Sequence, residues 1–515
     1  MRKISVPKPS GKSGANNPRH VFSTVPLEID LARSSDRFYC SQLEEPDLIF
    51  GGGHCCADPR TGLAAYGPCG VTGREEPAQI RVGIVGTSEG IDRTLKLLEE
   101  ISQPIEQGAN VDCVLHPSFP GLNVLGPIQV DLVTQSQWHR QLPQDKTDFR
   151  SLKECDDFST RCRLLQEVIG EEVRVISELE NPPQVILCAV SESMARLLGT
   201  DTAIDDANFA SNEKVLSGSG ERKSHGLLRE FRGGLKAECM GSLPTEIIWD
   251  QAYSRAETTQ DQATRAWNLS LALLHKVGLV PWRLENASEE ACFVGISFHR
   301  ASSHTLKSFA HVFTELGDGY IVDGDAFEWD QRREGEIVPH LEEVQARLLM
   351  SRALSVFEGE TGVSPRRVAV HKRTCYSSAE RKGFENALQN IPEYGLMTVT
   401  RRGVFCIRPG RKPILRGTAI PFDENLGLVF ASGYVPFLRG YFGSRIPQPL
   451  EIMENWGSIS FQQAARDLMR LTRLNLNSSD FCADLPVTLA RCKEIGEVLW
   501  ALGNKEPSID DKYYV

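Results

Sequence analysis

The sequence predicts an α/β protein of two domains with substantially parallel sheets, and three observations carry that expectation. Short apolar runs with strand character alternate with helix-period segments in both halves of the chain. At 515 residues the chain is too long for one hydrophobic core. Its 41% hydrophobic and 24% charged residues are those of an ordinary globular protein, which excludes disordered, collagen-like and disulfide-scaffold classes. No apolar run approaches the ~20 residues of a spanning helix. The first twenty residues also lack the apolar segment of a secretory signal. A soluble, cytoplasmic protein is expected.

In chain order, residues 1–24 are rich in Lys, Pro, Ser, Gly and Asn and read as a disordered tail. IFGGGHCCADPRTGLAAYGP (49–68) reads as an ordered loop. RVGIVG (81–86) is a buried strand leading into the helical pattern IDRTLKLLEEIS. Its glycines, Gly83, Gly86 and Gly90, lack the spacing of a dinucleotide fingerprint and fit tight strand–helix packing better. A second strand–helix step, QVILCAV then SESMARLLG, follows Pro182-Pro183. Residues 210–225 read as a polar loop. TEIIW is a short strand, QATRAWNLSLALLHKVG a helix closed by Gly278, and ACFVGISF (291–298) a buried strand. Leu341, Val344, Leu348 and Leu349 mark an amphipathic helix, RRVAVHK a further strand, and the chain from Phe461 more helices. The cysteines are scattered, with no CxxC pair. Reduced, mostly buried thiols are expected, with no metal at the one cluster, His54, Cys55, Cys56 and Cys69.

Net charge is −11, which argues against a bulk nucleic-acid binder, yet the cations cluster. RRGVFCIRPGRKPILR carries Arg401, Arg402, Arg408, Arg411, Lys412 and Arg416 with no acid. Arg366, Arg367, Lys372 and Arg373 form a second group, and Arg222, Lys223, Arg229, Arg232 and Lys236 a third. Like charges held close repel, so such clusters suit a phosphate backbone. A solvated strand face, or a surface that docks an acidic partner, explains the first group equally simply.

Several segments together resemble the short prokaryotic Argonautes, which have MID and PIWI domains without PAZ. FGGG…DPRTGLAAYGP with IRVGIVG is similar to the start of that family. FVGISFH is similar to the first PIWI strand, VAVHKR to the strand of the second catalytic acid, and YFGSRIPQPLEI to a later PIWI segment. LTRLNLNSSDFCADLPVTLARCKEI resembles the closing PIWI helices and is the most specific of these. The resemblance spans roughly residues 45–515. It implies a Rossmann-like MID and an RNase H-like PIWI domain. Residues 25–180 would be the N-terminal part of the MID lobe, 181–290 the MID core, and 291–515 the PIWI domain.

The resemblance further implies a pocket for the 5′ end of a guide strand. Arg232 and Lys236, spaced i, i+4 on one helical face, fall on its basic positions. Glu246 stands where the family has Gln, and Lys276 falls on a second Lys position. A C-terminal carboxylate, here that of Val515, reaches the pocket in that family and shares a Mg²⁺ ion with the guide phosphate. Glu246 is repulsive to a phosphate unless a cation intervenes; it could instead read the first base or signify a 5′-hydroxyl guide.

Cleaving Argonautes hold two metals on an acidic tetrad. Matched by position, that tetrad falls here on Ser297, Arg373 and Lys493, with Glu328 or Asp330 near the glutamate position. Hydroxyl and cationic groups are poor or repulsive ligands for divalent metals, so a chain without nuclease activity is expected. By resemblance it would bind a guide RNA and complementary single-stranded DNA of plasmids or phages. Arg373, Lys493 and the basic run (Arg401, Arg402, Arg408, Arg411, Lys412 and Arg416) would line the guide–target channel. A separate APAZ-containing effector, a TIR or sirtuin-like NAD-consuming enzyme or a nuclease, would act in defence. The alternative is an active guide-directed endonuclease using Asp318, Asp323 and Asp325, although a turn between two strands explains the run ELGDGYIVDGDAFEWD better.

Overall fold

The computed structural model describes residues 39–71, 77–108, 114–142, 157–191, 230–249, 261–302, 304–329, 338–401, 410–441 and 446–515, with a few positions between. The 1–24 tail, the 210–225 loop and Arg222, Lys223, Arg229, Asp330, Arg402 and Arg408 lie outside them. Cys40–Val515 forms one compact unit. No described helix is long and apolar enough to cross a membrane.

The strands are β1 (Ser41–Gln42), β2 (Leu48–Ile49), β3 (Cys55–Cys56), β4 (Ala78–Gly86), β5 (Val130–Val133), β6 (His139–Gln141), β7 (Val185–Val190), β8 (Thr245–Trp249) and β9 (Arg283–Leu284). They continue as β10 (Ala291–Arg300), β11 (Thr305–Thr314), β12 (Gly319–Glu328), β13 (Arg367–Lys372), β14 (Glu393–Arg401), β15 (Thr418–Pro421), β16 (Gly427–Val429) and β17 (Leu450–Gly457). The smaller main sheet runs β5-β4-β7-β8, with β6 also on β4, and every pairing is parallel. It joins residues 78–141 to 185–249. Both-face burial explains the unbroken apolar run of β7.

The larger sheet corrects one expectation. Its order is β1-β15-β16-β17-β14-β13-β10-β11-β12, and only β10–β13 and β13–β14 pair in parallel. The β10–β11–β12 meander and the β14-to-β1 flank are antiparallel. Alternating strand and helix signals cannot separate a parallel sheet from a mixed one when hairpins sit between them. ELGDGYIVDGDAFEWD is likewise not mainly a turn, since Asp323 and Asp325 lie within β12.

The principal helices are α1 (Pro59–Tyr66), α2 (Ser88–Ile101), α3 (Phe158–Ser177), α4 (Gln262–Lys276), α5 (Glu343–Thr361), α6 (Ser378–Leu388), α7 (Phe461–Leu471), α8 (Val487–Ala490) and α9 (Cys492–Leu502). Helix α1 lies in the stretch expected to be a loop. Its signal was present: Asp58 caps the Thr61 N–H and Pro59 begins the helix. Asp261 caps α4 in the same way, and Gly278, at φ 75°, follows its end. At the β4–α2 turn a Cβ on Gly86 would stand 2.8 Å from the Ala189 Cβ, so strand packing accounts for that glycine. Of the described cysteines only Cys162, Cys188, Cys239, Cys292 and Cys492 are buried, fewer than expected.

Two buried polar contacts fasten helices to the larger sheet. Lys372 donates to both Glu380 oxygens at 2.7 Å, tying β13 to α6. His371, fully buried, places Nδ1 2.9 Å from the Thr488 hydroxyl and so ties β13 to α8. Burial pushes the His371 imidazole down to about 4. The unfolded side chain titrates near ~6.5, so between those values the unfolded chain binds the extra proton. This contribution is therefore full above ~6.5 and is lost as pH falls towards 4, amounting to about 3 kcal/mol. Urea unfolding at pH 7.5 and pH 5 should show a stability drop on acidification that is smaller in His371→Gln; an equal drop in both proteins would remove His371 as a cause.

Candidate functional site

The side chains with unusual chemistry gather where the two main sheets meet the chain terminus. Lys236 projects from the helical residues 230–238, Glu246 from β8 and Lys276 from the last turn of α4. Val515 is 7% exposed and lies among them. Lys236 Nζ donates to the Val515 terminal carboxylate at 2.5 Å and to the Thr245 carbonyl at 3.2 Å. Lys276 Nζ donates to the same Val515 oxygen and lies 3.2 Å from Glu246 Oε2. Arg232, at the rim, reaches the Tyr514 carbonyl at 3.4 Å and Glu494 at 3.8 Å. All five residues expected in the pocket are thus brought together.

The electrostatics follow from burial and crowding. Burial, then the Lys276 and Arg232 cations, push the Lys236 ammonium well below its ordinary value. Burial raises the Glu246 carboxyl, but Lys276, Lys236 and Arg232 outweigh it and hold the carboxyl below its usual range. Two buried lysines donate to one main-chain oxygen of Val515, and this cationic cradle has the composition of a phosphate site. Glu246 is committed to Lys276, which answers the repulsion its sequence position raised.

Sequence reasoning missed the group that fixes this tail. Asp511 is 2% exposed and lies 2.8 Å from Arg491 Nη1. It also lies 3.5 Å from His275 Nε2 on α4 and 3.4 Å from His311 Nε2 on β11. Burial works to raise the Asp511 carboxyl, but Arg491 and the two imidazoles hold it well below its usual range. The available signal was slight: His275 adjoins Lys276, and Asp511 lies four residues before the terminus.

Of the tetrad positions, Ser297 lies in β10, Arg373 directly follows β13, and Lys493 lies in the first turn of α9. A Cβ on Gly295 would stand 2.0 Å from the Thr488 carbonyl oxygen, so only glycine lets α8 press onto β10. That contact brings Cys492, at the start of α9, beside Ser297. The Cys492 thiol is pushed up to about 12 by burial and also senses Arg373 and the Ser297 hydroxyl. Arg373 and Lys493 are exposed and Ser297 is half-buried. The acids of the alternative do not converge. Asp318 lies beside the Thr314 hydroxyl, Asp323 pairs with Lys307, and Asp325 pairs with Arg352 at 3.0 Å. Exposed Glu328 ends β12. Among the described residues no group of three or more His, Cys, Asp or Glu is placed to hold a metal ion.

The basic run divides on structural grounds. Arg416 is removed from the channel set: it is 3% exposed, and its Nε lies 2.7 Å from Glu45 Oε2. Glu45 also meets Arg473 at 3.3 Å, and Arg473 stacks 3.9 Å from the Phe481 ring centroid. Arg401 pairs with Asp484 at 2.9 Å, Lys412 lies over the Tyr434 ring, and Arg411 is exposed.

No family model matches the sequence, and no curated protein matches it. Among solved structures the fold is similar to Clostridium butyricum Argonaute bound to a guide DNA and a 19-mer target DNA, with TM-score 0.58 and 11% identity over 93% of this chain and 55% of that one. It is also similar to A. aeolicus Argonaute, with TM-score 0.55 and 13% identity over 92% of this chain and 55% of that one. The chain therefore has an Argonaute fold, with α/β MID and PIWI parts, and spans about half the length of these structures.

The Gly295 contact gives a direct check on the tetrad geometry. Gly295→Ala should destabilise the protein by about 2–3 kcal/mol, because the new methyl meets backbone and not a movable side chain. A melting temperature equal to that of the parent would contradict the placement of α8 on β10.

Proposed function

We propose that the chain is a guide-programmed nucleic-acid sensor of MID–PIWI type that does not itself cut its target. The observation that carries this is the convergence of Lys236 and Lys276 on one anion within an Argonaute fold. The guide would be a short RNA whose 5′ phosphate enters beside the Val515 carboxylate, with Arg232 at the rim. Target recognition, of complementary single-stranded plasmid or phage DNA, would come from base pairing, the protein holding the duplex by its backbone.

Carboxylate oxygens are the ligands a hard divalent cation takes, and those of Val515 and Glu246 both lie beside Lys276, whose ammonium such an ion would have to displace. Those two residues would hold Mg²⁺, which would supply the positive charge that a phosphate beside a carboxylate requires. Lys236 and Lys276 orient the carboxylate, and Arg232 offers a bidentate fork to the entering anion. On the PIWI side, exposed Arg373 and Lys493 at the tetrad positions favour backbone phosphates over metals, and the absence of acids at Ser297, Arg373 and Lys493 supports a non-cleaving role. Arg401, Arg411 and Lys412 would extend this channel, together with Arg402 and Arg408. Response to target would then fall to a separate APAZ-containing effector, TIR-like, sirtuin-like or nuclease, in antiviral and anti-plasmid defence in the cytoplasm.

Lys236→Ala with Lys276→Ala should weaken a 5′-phosphorylated guide by ~3 kcal/mol, the worth of two charge-assisted contacts. A 5′-hydroxyl guide should lose much less, and equal losses would show that the lysines do not hold the phosphate. Site-specific target cleavage with guide and Mn²⁺, abolished by EDTA, would overturn the non-cleaving role.

Neutralising Arg373 and Lys493 tests the channel separately. Target affinity should fall alike for every guide sequence, and the slope of log affinity against log salt should flatten by about 2 units. A changed mismatch penalty would instead place these side chains at base edges.

A further inference from the structure

The residues that close the pocket do not end there. Upstream of Val515, Tyr514 is fully buried in a cluster with Ala237 from the MID part, Phe309 of β11 and Ile321 of β12. Asp511 then joins α4 to β11 through His275 and His311, and Arg491 holds it from the α8–α9 junction. A Cβ on Gly319, the first residue of β12, would lie 2.2 Å from Asp511 Oδ2, so the strand has no side chain where the carboxylate sits. One step further back, Asp510 bridges Tyr320 in antiparallel fashion, and the Ile321 N–H donates to the Ile509 carbonyl at 2.6 Å. Seven consecutive residues therefore run from the lysine pocket to the outermost strand of the nine-stranded sheet.

We infer that Ile509–Val515 is a strut that couples occupancy of the Lys236–Lys276 pocket to the outer edge of the PIWI sheet at Gly319–Ile321. The coupling is mechanical and electrostatic. In the pocket the strut is held at the Val515 oxygen by both lysines and at the Tyr514 carbonyl by Arg232. An anion and cation that add partners to Val515 hold the tail more tightly, and the Ile509–Ile321 pairing is then opened less often. Linkage makes the effect reciprocal: loosening Asp511 must weaken whatever the pocket holds through Val515. Asp511 is thereby a positioning residue for the pocket, acting through the tail and not by contact with the ligand. This rests on the guide reading for the identity of the ligand, but the mechanical link does not.

The test is amide hydrogen exchange on the full chain, followed at Tyr320 and Ile321, for the parent, Asp511→Asn, and a chain with two glycines added after Val515. The added glycines leave Asp511 and its partners in place while removing the carboxylate from the lysines. Without nucleic acid, Ile321 in the extended chain should exchange about tenfold faster than in the parent. Equal rates there overturn the strut whatever the pocket binds. With Mg²⁺, a 5′-phosphorylated guide should slow exchange at Ile321 in the parent, and a 5′-hydroxyl guide should not. Asp511→Asn should bind the phosphorylated guide about tenfold more weakly with little change for the hydroxyl guide, a split that general destabilisation would not produce. Binding of the phosphorylated guide with no response at Ile321 overturns the strut and leaves the guide reading standing. Failure of the parent to bind either guide overturns the guide reading alone, because the extended chain still decides the strut. Should Asp511→Asn not fold, the extended chain carries the same comparison.

Discussion

The pairing of two buried ammonium groups with one terminal carboxylate is the interaction on which the rest depends. An unpaired charge at the depth of Lys236 would cost several kcal/mol, and Lys276 beside it makes matters worse. The chain resolves this by bringing its own terminus to the lysines. That requirement fixes the path of the tail, and the tail in turn needs Asp511, its imidazole partners and a glycine at the start of β12. Breaking such a pair by removing one partner typically costs 3–5 kcal/mol, so the arrangement is strongly specified even if its net stabilisation is small.

A chain of net charge −11 distributes its cations unevenly. The cations are not spread as a basic surface. Some, such as Arg416 and Arg473 on Glu45, are consumed in holding the core of the larger lobe. Others, such as Lys372 on Glu380, pin a helix to the sheet. Others stay exposed, Arg373, Arg411, Lys412 and Lys493 among them. Counting basic residues along the sequence merges these roles, because sequence neighbours in a strand or loop point to different sides.

What the sequence made legible was local. TEIIW, ACFVGISF and the α4 segment ended close to where apolar pattern and glycine placed them, because burial on both faces and a positive-φ stop are local requirements. That Arg232, Lys236, Glu246, Lys276 and Val515 gather was legible only through resemblance to a family pattern, since spacing relates just Arg232 to Lys236. What escaped depended on contacts between distant segments. Arg416 looked like its neighbours Arg411 and Lys412, and only Glu45, far upstream, separates it from them. Asp511 carried no spacing pattern, for its partners come from α4, β11 and the α8–α9 junction. The direction of strand pairing escaped for a related reason, since β11 and β12 return by a short turn inside an acid-rich run that reads as loop.

Glu246 shows how a departure from an expected pattern acquires a physical account. Alone, a carboxylate at the place of a neutral amide opposes a phosphate ligand. Set against Lys276 at 3.2 Å, it becomes part of a balance of three cations, Arg232, Lys236 and Lys276, against two carboxylates. Counted so, the site carries a net charge near +1, and its Coulomb attraction for an anion grows with the charge of that anion. The lysines and carboxylates already satisfy one another, so any entering anion must compete with Glu246 and Val515 for the same three cations.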